Sequence, residues 1–257
     1  MTQIEKNIKK TLEQKDILLV SHVVLGYPNL EVGLQTVDEM SKVGVDIIEL
    51  QIPFSDPQAD GPFFTKAQQD AIKNGVTVPD AFNFAKDVCN KYPKVNFVFM
   101  TYLNIAYKFG IPNFVKEAAK VGVKGIILPD LPLEESDEYV KACKDNKIAP
   151  IFMFTPTTTE KRMQKINKKA NGFIYCQARI GITGTHTKFG EAEEEYIERC
   201  RRNTNLPIAM GFGIQEKADV DFLKKKVDIA ICCTQAIKAL DKNGVEGMGL
   251  FLKSLRD

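Results

Sequence analysis

Val45-Asp46-Ile47-Ile48-Glu49-Leu50-Gln51-Ile52-Pro53-Phe54-Ser55-Asp56-Pro57-Gln58-Ala59-Asp60-Gly61-Pro62 is a short strand-forming run, then a loop punctuated by Pro and Gly, then a proline suited to a first helical turn. It reads as one strand–loop–helix unit. Similar β-branched or aromatic runs occupy 17–25, 45–50, 95–100, 125–128, 149–154, 172–176, 207–210 and 227–232. Amphipathic, charge-rich stretches separate them, the alternation expected of parallel βα units rather than of a sandwich. Leu34, Val37, Met40 and Val43, spaced by three, place apolar side chains on one face of such a helix. About eight units in 257 residues fit an α/β fold, a single (β/α)8 TIM barrel. Residues 5–14 add a helix before the first strand, placed to cover the bottom of the barrel. No linker-like or low-complexity tract divides the chain, so 1–257 is read as one domain.

Composition excludes several classes of function. Lys plus Arg number 35 against 33 Asp plus Glu, a formal balance of +2, so no field suited to a polyanion is present and nucleic acid is not an expected partner. The first apolar run, interrupted by Ser21 and His22, is too short to span a bilayer, and the N-terminal residues show no signal-peptide cleavage pattern. The six cysteines (89, 143, 176, 200, 232 and 233) form no CxxC pair and show no metal-ligand spacing. They read as reduced core residues of a cytoplasmic protein, and no metal is expected.

In a parallel barrel the active site lies at the C-terminal ends of the strands and in the loops after them. The polar residues obey this: Glu49 ends the second run, Tyr102 and Asn104 follow the third, Asp130 follows the fourth and Tyr175 ends the sixth. Strand alternation puts Val45, Ile47 and Glu49 on one face, so a carboxylate shares its face with apolar neighbours. Burying it costs several kcal/mol unless it is paired or used. Glu49 is therefore either a hydrogen-bonded structural carboxylate or a catalytic one. Asp60 likewise has two readings, a turn-and-cap residue before Pro62 or a second catalytic carboxylate able to serve another atom of the same substrate. The glycine-bearing stretches Ile180-Gly181-Ile182-Thr183-Gly184-Thr185 and Met210-Gly211-Phe212-Gly213-Ile214 follow the sixth and seventh runs, where barrels commonly hold a phosphate on backbone amides. No Lys lies at the C-terminal end of a run, so a Schiff base is not indicated.

The stretch from Glu49 to Pro62 closely resembles the signature of the tryptophan synthase alpha subunit. Leu25-Gly26-Tyr27-Pro28, Thr101-Tyr102-Leu103-Asn104, Leu128-Pro129-Asp130-Leu131-Pro132, Tyr175 with Gly181-Ile182-Thr183-Gly184, and Gly211-Phe212-Gly213-Ile214 extend the resemblance over essentially the whole chain. It implies a lyase that cleaves indole-3-glycerol phosphate to indole and glyceraldehyde 3-phosphate by retro-aldol acid–base chemistry. Glu49 then shuttles protons, Asp60 stabilises the cation that develops on the indole nitrogen, and Tyr175 positions Glu49 and the substrate. Thr183 belongs to a mobile loop that reaches Asp60 on closure. His22 and Tyr102 fall among the substrate-binding positions, and Gly184, Gly211, Phe212 and Gly213 among those that bind the phosphate.

The chain departs from the family pattern at three places. His22 stands in the indole pocket where Phe is usual, Gln51 stands where Gly is usual, and Thr234-Gln235 stand where Gly-Ser ends the eighth strand and would crowd the anion. The resemblance implies no cofactor in this chain. It implies a pyridoxal-phosphate-dependent beta subunit as partner, in an α2β2 heterotetramer that passes indole between subunits. A weakly active or inactive alpha-type subunit that mainly binds and activates the beta subunit is the alternative reading.

Overall fold

Each of the eight apolar runs becomes a strand. The computed structural model of the chain describes residues 1–178, 190–211 and 213–256. The strands are β1 (Leu18–Val24), β2 (Ile47–Gln51), β3 (Asn96–Met100), β4 (Gly125–Ile127), β5 (Ala149–Phe154), β6 (Ile174–Gln177), β7 (Ile208–Gly211) and β8 (Ile229–Ile231). They pair in parallel in chain order, and β8 pairs with β1 to close the barrel. Closure leaves no strand edge exposed. Among the described residues no helix is long and apolar enough to cross a membrane.

Two local expectations are corrected by how the helix and strand periods run. The second strand starts later and ends later than its apolar content suggests: Val45 lies in the preceding turn, its amide bonded to Met40, and Gln51 joins the ladder, its carbonyl accepting from Leu25. The side-chain face that carries Glu49 is therefore Ile47, Glu49, Gln51. In the helix Leu30–Lys42 the buried residues are Gly33, Thr36, Val37 and Met40, while Leu34 is 38% exposed. A strict spacing of three drifts around a helix of 3.6 residues per turn, so Leu34 falls off the face that Val37 and Met40 share.

The bottom of the barrel is closed as the N-terminal segment suggests, by a helix spanning Gln3–Leu12. Ile4 and Ile8, one turn apart, are fully buried. Asn7 donates to Asn96 Oδ1 at the start of β3 (2.7 Å), and Thr2 bonds Asn171 just before β6. Asp46, just before β2, accepts from the Leu19 amide (2.9 Å), from Lys15 and from Arg256, which ties the first two strands to the end of the chain. This anchoring fixes the register in which Glu49 of β2 lies beside His22 of β1.

Because Ile8 seals the barrel floor, Ile8→Ala is expected to lower the free energy of unfolding by about 3 kcal/mol in urea denaturation while leaving the barrel rim unchanged. A loss below about 1 kcal/mol would mean that the helix is only loosely applied.

Candidate active site

Strand register brings together side chains that are far apart in sequence. Glu49 and His22 are register partners, 1% and 4% exposed. His22 Nδ1 lies 2.9 Å from Glu49 Oε2, and His22 Nε2 lies 2.8 Å from Gln51 Oε1. The Gln51 amide then donates from Nε2 to Asp60 Oδ2 at 2.9 Å. The two carboxylates expected to act on one substrate are thus joined by a continuous hydrogen-bonded chain, Glu49–His22–Gln51–Asp60. Glu49 Oε1 is buried and has no hydrogen-bond partner among the described residues.

Donor and acceptor counting fixes where the protons of this chain sit. Asp60 Oδ2 accepts from Gln51 Nε2, Gln68 Nε2 and Tyr102 Oη, each at 2.9 Å, an environment that suits a carboxylate anion. The anion requires the amino end of Gln51 to face it, so the Gln51 carbonyl faces His22. His22 must then carry a proton on Nε2. One further proton occupies the 2.9 Å contact between Nδ1 and Glu49, whether it is bonded to nitrogen or to oxygen. The Glu49–His22 pair therefore bears no net charge, which spares the interior a buried unpaired anion.

Asp60 is positioned by its loop rather than used as a cap. Gly61 precedes the helix Pro62–Lys73, with Pro62 in its first turn, as the sequence suggests. The Asp60 carboxylate, however, is held by side chains of other elements. Tyr102 Oη also accepts from the Ala59 amide (3.0 Å), and the Gln68 carbonyl accepts from the Phe54 amide (3.2 Å), so the same two residues hold both loop and carboxylate. Phe54 stacks on Tyr102 with ring centroids 5.3 Å apart. Burial, then the Asp60 charge, raises the Tyr102 hydroxyl well above its ordinary range and keeps it a donor.

Tyr175 and Cys233 close the other side of Glu49. Cys233 Sγ is 3.9 Å from Glu49 Oε2. Burial, then the nearby Glu49, pushes the Tyr175 hydroxyl and the Cys233 thiol upward, so both stay protonated. The atoms of His22, Glu49 and Cys233 lie within 4.8 Å of one another, but the proton shared with Glu49 engages the His22 Nδ1 lone pair, and the Cys233 thiol stays protonated. Gly211, at the end of β7, has a steric reason to be glycine: a Cβ there would lie 3.0 Å from Tyr175 Oη and 3.3 Å from Ile231 Cβ.

At the end expected to meet the phosphate, Gly213 follows β7 with φ +109°, and Thr234 and Gln235 open the helix Thr234–Ser254. Their first-turn amides lack intrahelical acceptors, and a helix N-terminus of this kind favours an anion. Thr183, Gly184 and Phe212 lie outside the described residues. His22, read from the sequence as an indole-stacking residue, has both ring nitrogens engaged and meets Phe64 edge-on at 4.9 Å. Gln68 and Cys233 were not legible as site residues. For Gln68 the available signal is a polar residue inside the buried stripe Phe64, Ala67, Gln68, Ala71. For Gln51 it is its place two residues after Glu49 on one strand.

A closed parallel barrel with two buried carboxylates linked at its C-terminal rim defines an acid–base enzyme of the barrel class. The model of the family described as tryptophan synthase alpha chain matches residues 8–249. A tryptophan synthase alpha chain of Syntrophotalea carbinolica is 48% identical over 98% of this chain and 100% of its own length. Among solved structures, tryptophan synthase subunit alpha of Legionella pneumophila superposes with a TM-score of 0.91 at 28% identity, covering 100% of this chain and 97% of that one. A chain of the tryptophan synthase complex of Pyrococcus furiosus gives 0.85 at 26% identity, covering 93% and 97%. The protein belongs to the tryptophan synthase alpha chain family. It is a lyase of tryptophan biosynthesis, and the family's reaction is cleavage of indole-3-glycerol phosphate.

Gly211→Ala is expected to cost about 1–3 kcal/mol by driving a methyl group against Tyr175. Tyr175→Phe, which removes the nearest atom, should recover part of that loss in a double-mutant cycle read by urea unfolding. Strict additivity would show that Tyr175 is not the obstacle.

Proposed function

We propose that Glu49 and Asp60 divide the retro-aldol cleavage of indole-3-glycerol phosphate between them, and that the single observation carrying this assignment is the hydrogen-bonded chain that holds both carboxylates at fixed spacing. Glu49 gives a proton to C3 of the indole ring, which turns the ring into a leaving group. It then takes the proton of the hydroxyl on the carbon attached to the ring. As that O–H bond breaks, the carbonyl of glyceraldehyde 3-phosphate forms, and the C–C bonding pair returns to the ring to restore indole. Glu49 ends as it began, so the reaction needs no net proton. Glu49 Oε1, without a hydrogen-bond partner among the described residues, is the oxygen that can take the hydroxyl proton, while Oε2 shares its proton with His22.

Asp60 acts electrostatically: its anion accepts the indole N–H and stabilises the positive charge on nitrogen once C3 is protonated. Three neutral donors hold it without cancelling its charge. Tyr175 packs beside Glu49 as a neutral group that limits water. The phosphate is met by backbone amides of Gly211, Gly213, Thr234 and Gln235, with Gly184 and Phe212. Tyr102 acts on substrate through Asp60. The chain carries no cofactor of its own, and its partner is a tryptophan synthase beta subunit holding pyridoxal phosphate, in a cytoplasmic α2β2 assembly that receives the indole.

The second reading, a docking subunit of low turnover, is favoured by one observation: Thr234 and Gln235 bring side chains to a place where the family pattern has Gly and Ser. Indole release from indole-3-glycerol phosphate decides between them, measured with and without the beta subunit. The expected outcome is turnover by the wild type that falls about 10³-fold in Glu49→Gln and about 10²-fold or more in Asp60→Asn. Unchanged rates in both variants would remove the assignment, and no wild-type turnover with strong activation of the beta subunit would leave the docking reading.

A further inference from the structure

His22 and Gln51 do more than fill space near the substrate, because their hydrogen bonds leave only one arrangement of protons. The Asp60 anion orients Gln51, Gln51 fixes a proton on His22 Nε2, and His22 Nδ1 shares a single proton with Glu49. We infer that His22 and Gln51 are positioning residues that keep Glu49 loaded with the proton it delivers to indole C3, and so set the order of the reaction as acid first, base second. This inference rests on the assignment of Glu49 as the proton shuttle.

The atoms balance at each step. In the resting site the shared proton is the only mobile one between Glu49 and His22. Its delivery forms the C3–H bond, and leaves a Glu49 carboxylate facing a neutral imidazole that keeps its Nε2 proton on Gln51. The carboxylate then takes the substrate hydroxyl proton as the C–C bond breaks, and that proton returns to the contact with Nδ1. Through its Nε2 hydrogen bond, the ring is held against the flip that would release Glu49.

The groups facing the pair leave its proton count unchanged. Cys233 at the end of β8, Tyr175 on β6 and Tyr102 after β3 are all held protonated by burial, and Phe64 and Gln68 of the following helix are neutral. Asp60, reached through Gln51, is therefore the one anion among the described residues linked to the pair.

The test uses the full-length protein and the double variant His22→Phe with Gln51→Gly, which removes both members of the chain together. His22→Phe alone strands the buried Gln51 carbonyl and is the variant more prone to misfold. The kcat for indole release should fall about tenfold or more in the double variant, with a much smaller change in KM. Nitrogen-15 NMR of the ligand-free wild type should show a proton on His22 Nε2 at neutral pH, a readout that does not depend on turnover. An unchanged kcat, or an Nε2 without a proton, would overturn the inference. Wild-type protein that releases no indole would instead count against the function, and the NMR result would still decide the shared proton.

Discussion

A buried carboxylate held among apolar neighbours is the constraint around which the rim of this barrel is organised. Glu49 sits with almost no exposure among apolar neighbours, where an unpaired anion would cost several kcal/mol. The structure relieves that cost by pairing Glu49 with His22 across one shared proton, so the pair is neutral while its proton remains available. Gln51 makes the solution specific. Its amide faces an anion on one side and an imidazole on the other, and only one orientation satisfies both.

That local chemistry depends on elements that never touch a substrate. Register between β1 and β2 decides that His22 meets Glu49, and the register is pinned lower down by Asp46, which binds Leu19, Lys15 and Arg256. Asp60 stays fixed although it lies in a loop, because Gln68 and Tyr102 each hold both its carboxylate and the loop backbone. Gly211 makes room for the Tyr175 hydroxyl. A shift of one strand by one residue would turn Glu49 to the other side of the sheet and undo the site.

The fold was legible because eight apolar runs in regular alternation with amphipathic stretches admit few other arrangements, and the strands formed where those runs lie. The ends of elements were less legible: Gln51 looks like loop in a local reading and becomes strand because Leu25 and the ladder of β3 reach it. Glu49 and Asp60 stood out from their surroundings as carboxylates beside apolar or turn-forming residues. The partner of Glu49 did not, since the contact between His22 and Glu49 spans 27 residues and exists only through strand pairing. The two departures His22 and Gln51, separate oddities along the chain, become one feature once the strands are side by side.

An imidazole and a carboxamide at these positions link the two carboxylates proposed to perform the acid–base work. The central claim is that Glu49 and Asp60 grip opposite parts of one indole-bearing substrate while His22 and Gln51 hold their spacing. A crystal structure of the Glu49→Gln variant soaked with indole-3-glycerol phosphate addresses it most directly. The account predicts the indole N–H within hydrogen-bond distance of Asp60, the side-chain hydroxyl beside the residue at position 49, and the bond between Gln51 and Asp60 intact. An indole ring bound away from Asp60, or a hydroxyl turned from position 49, would contradict it.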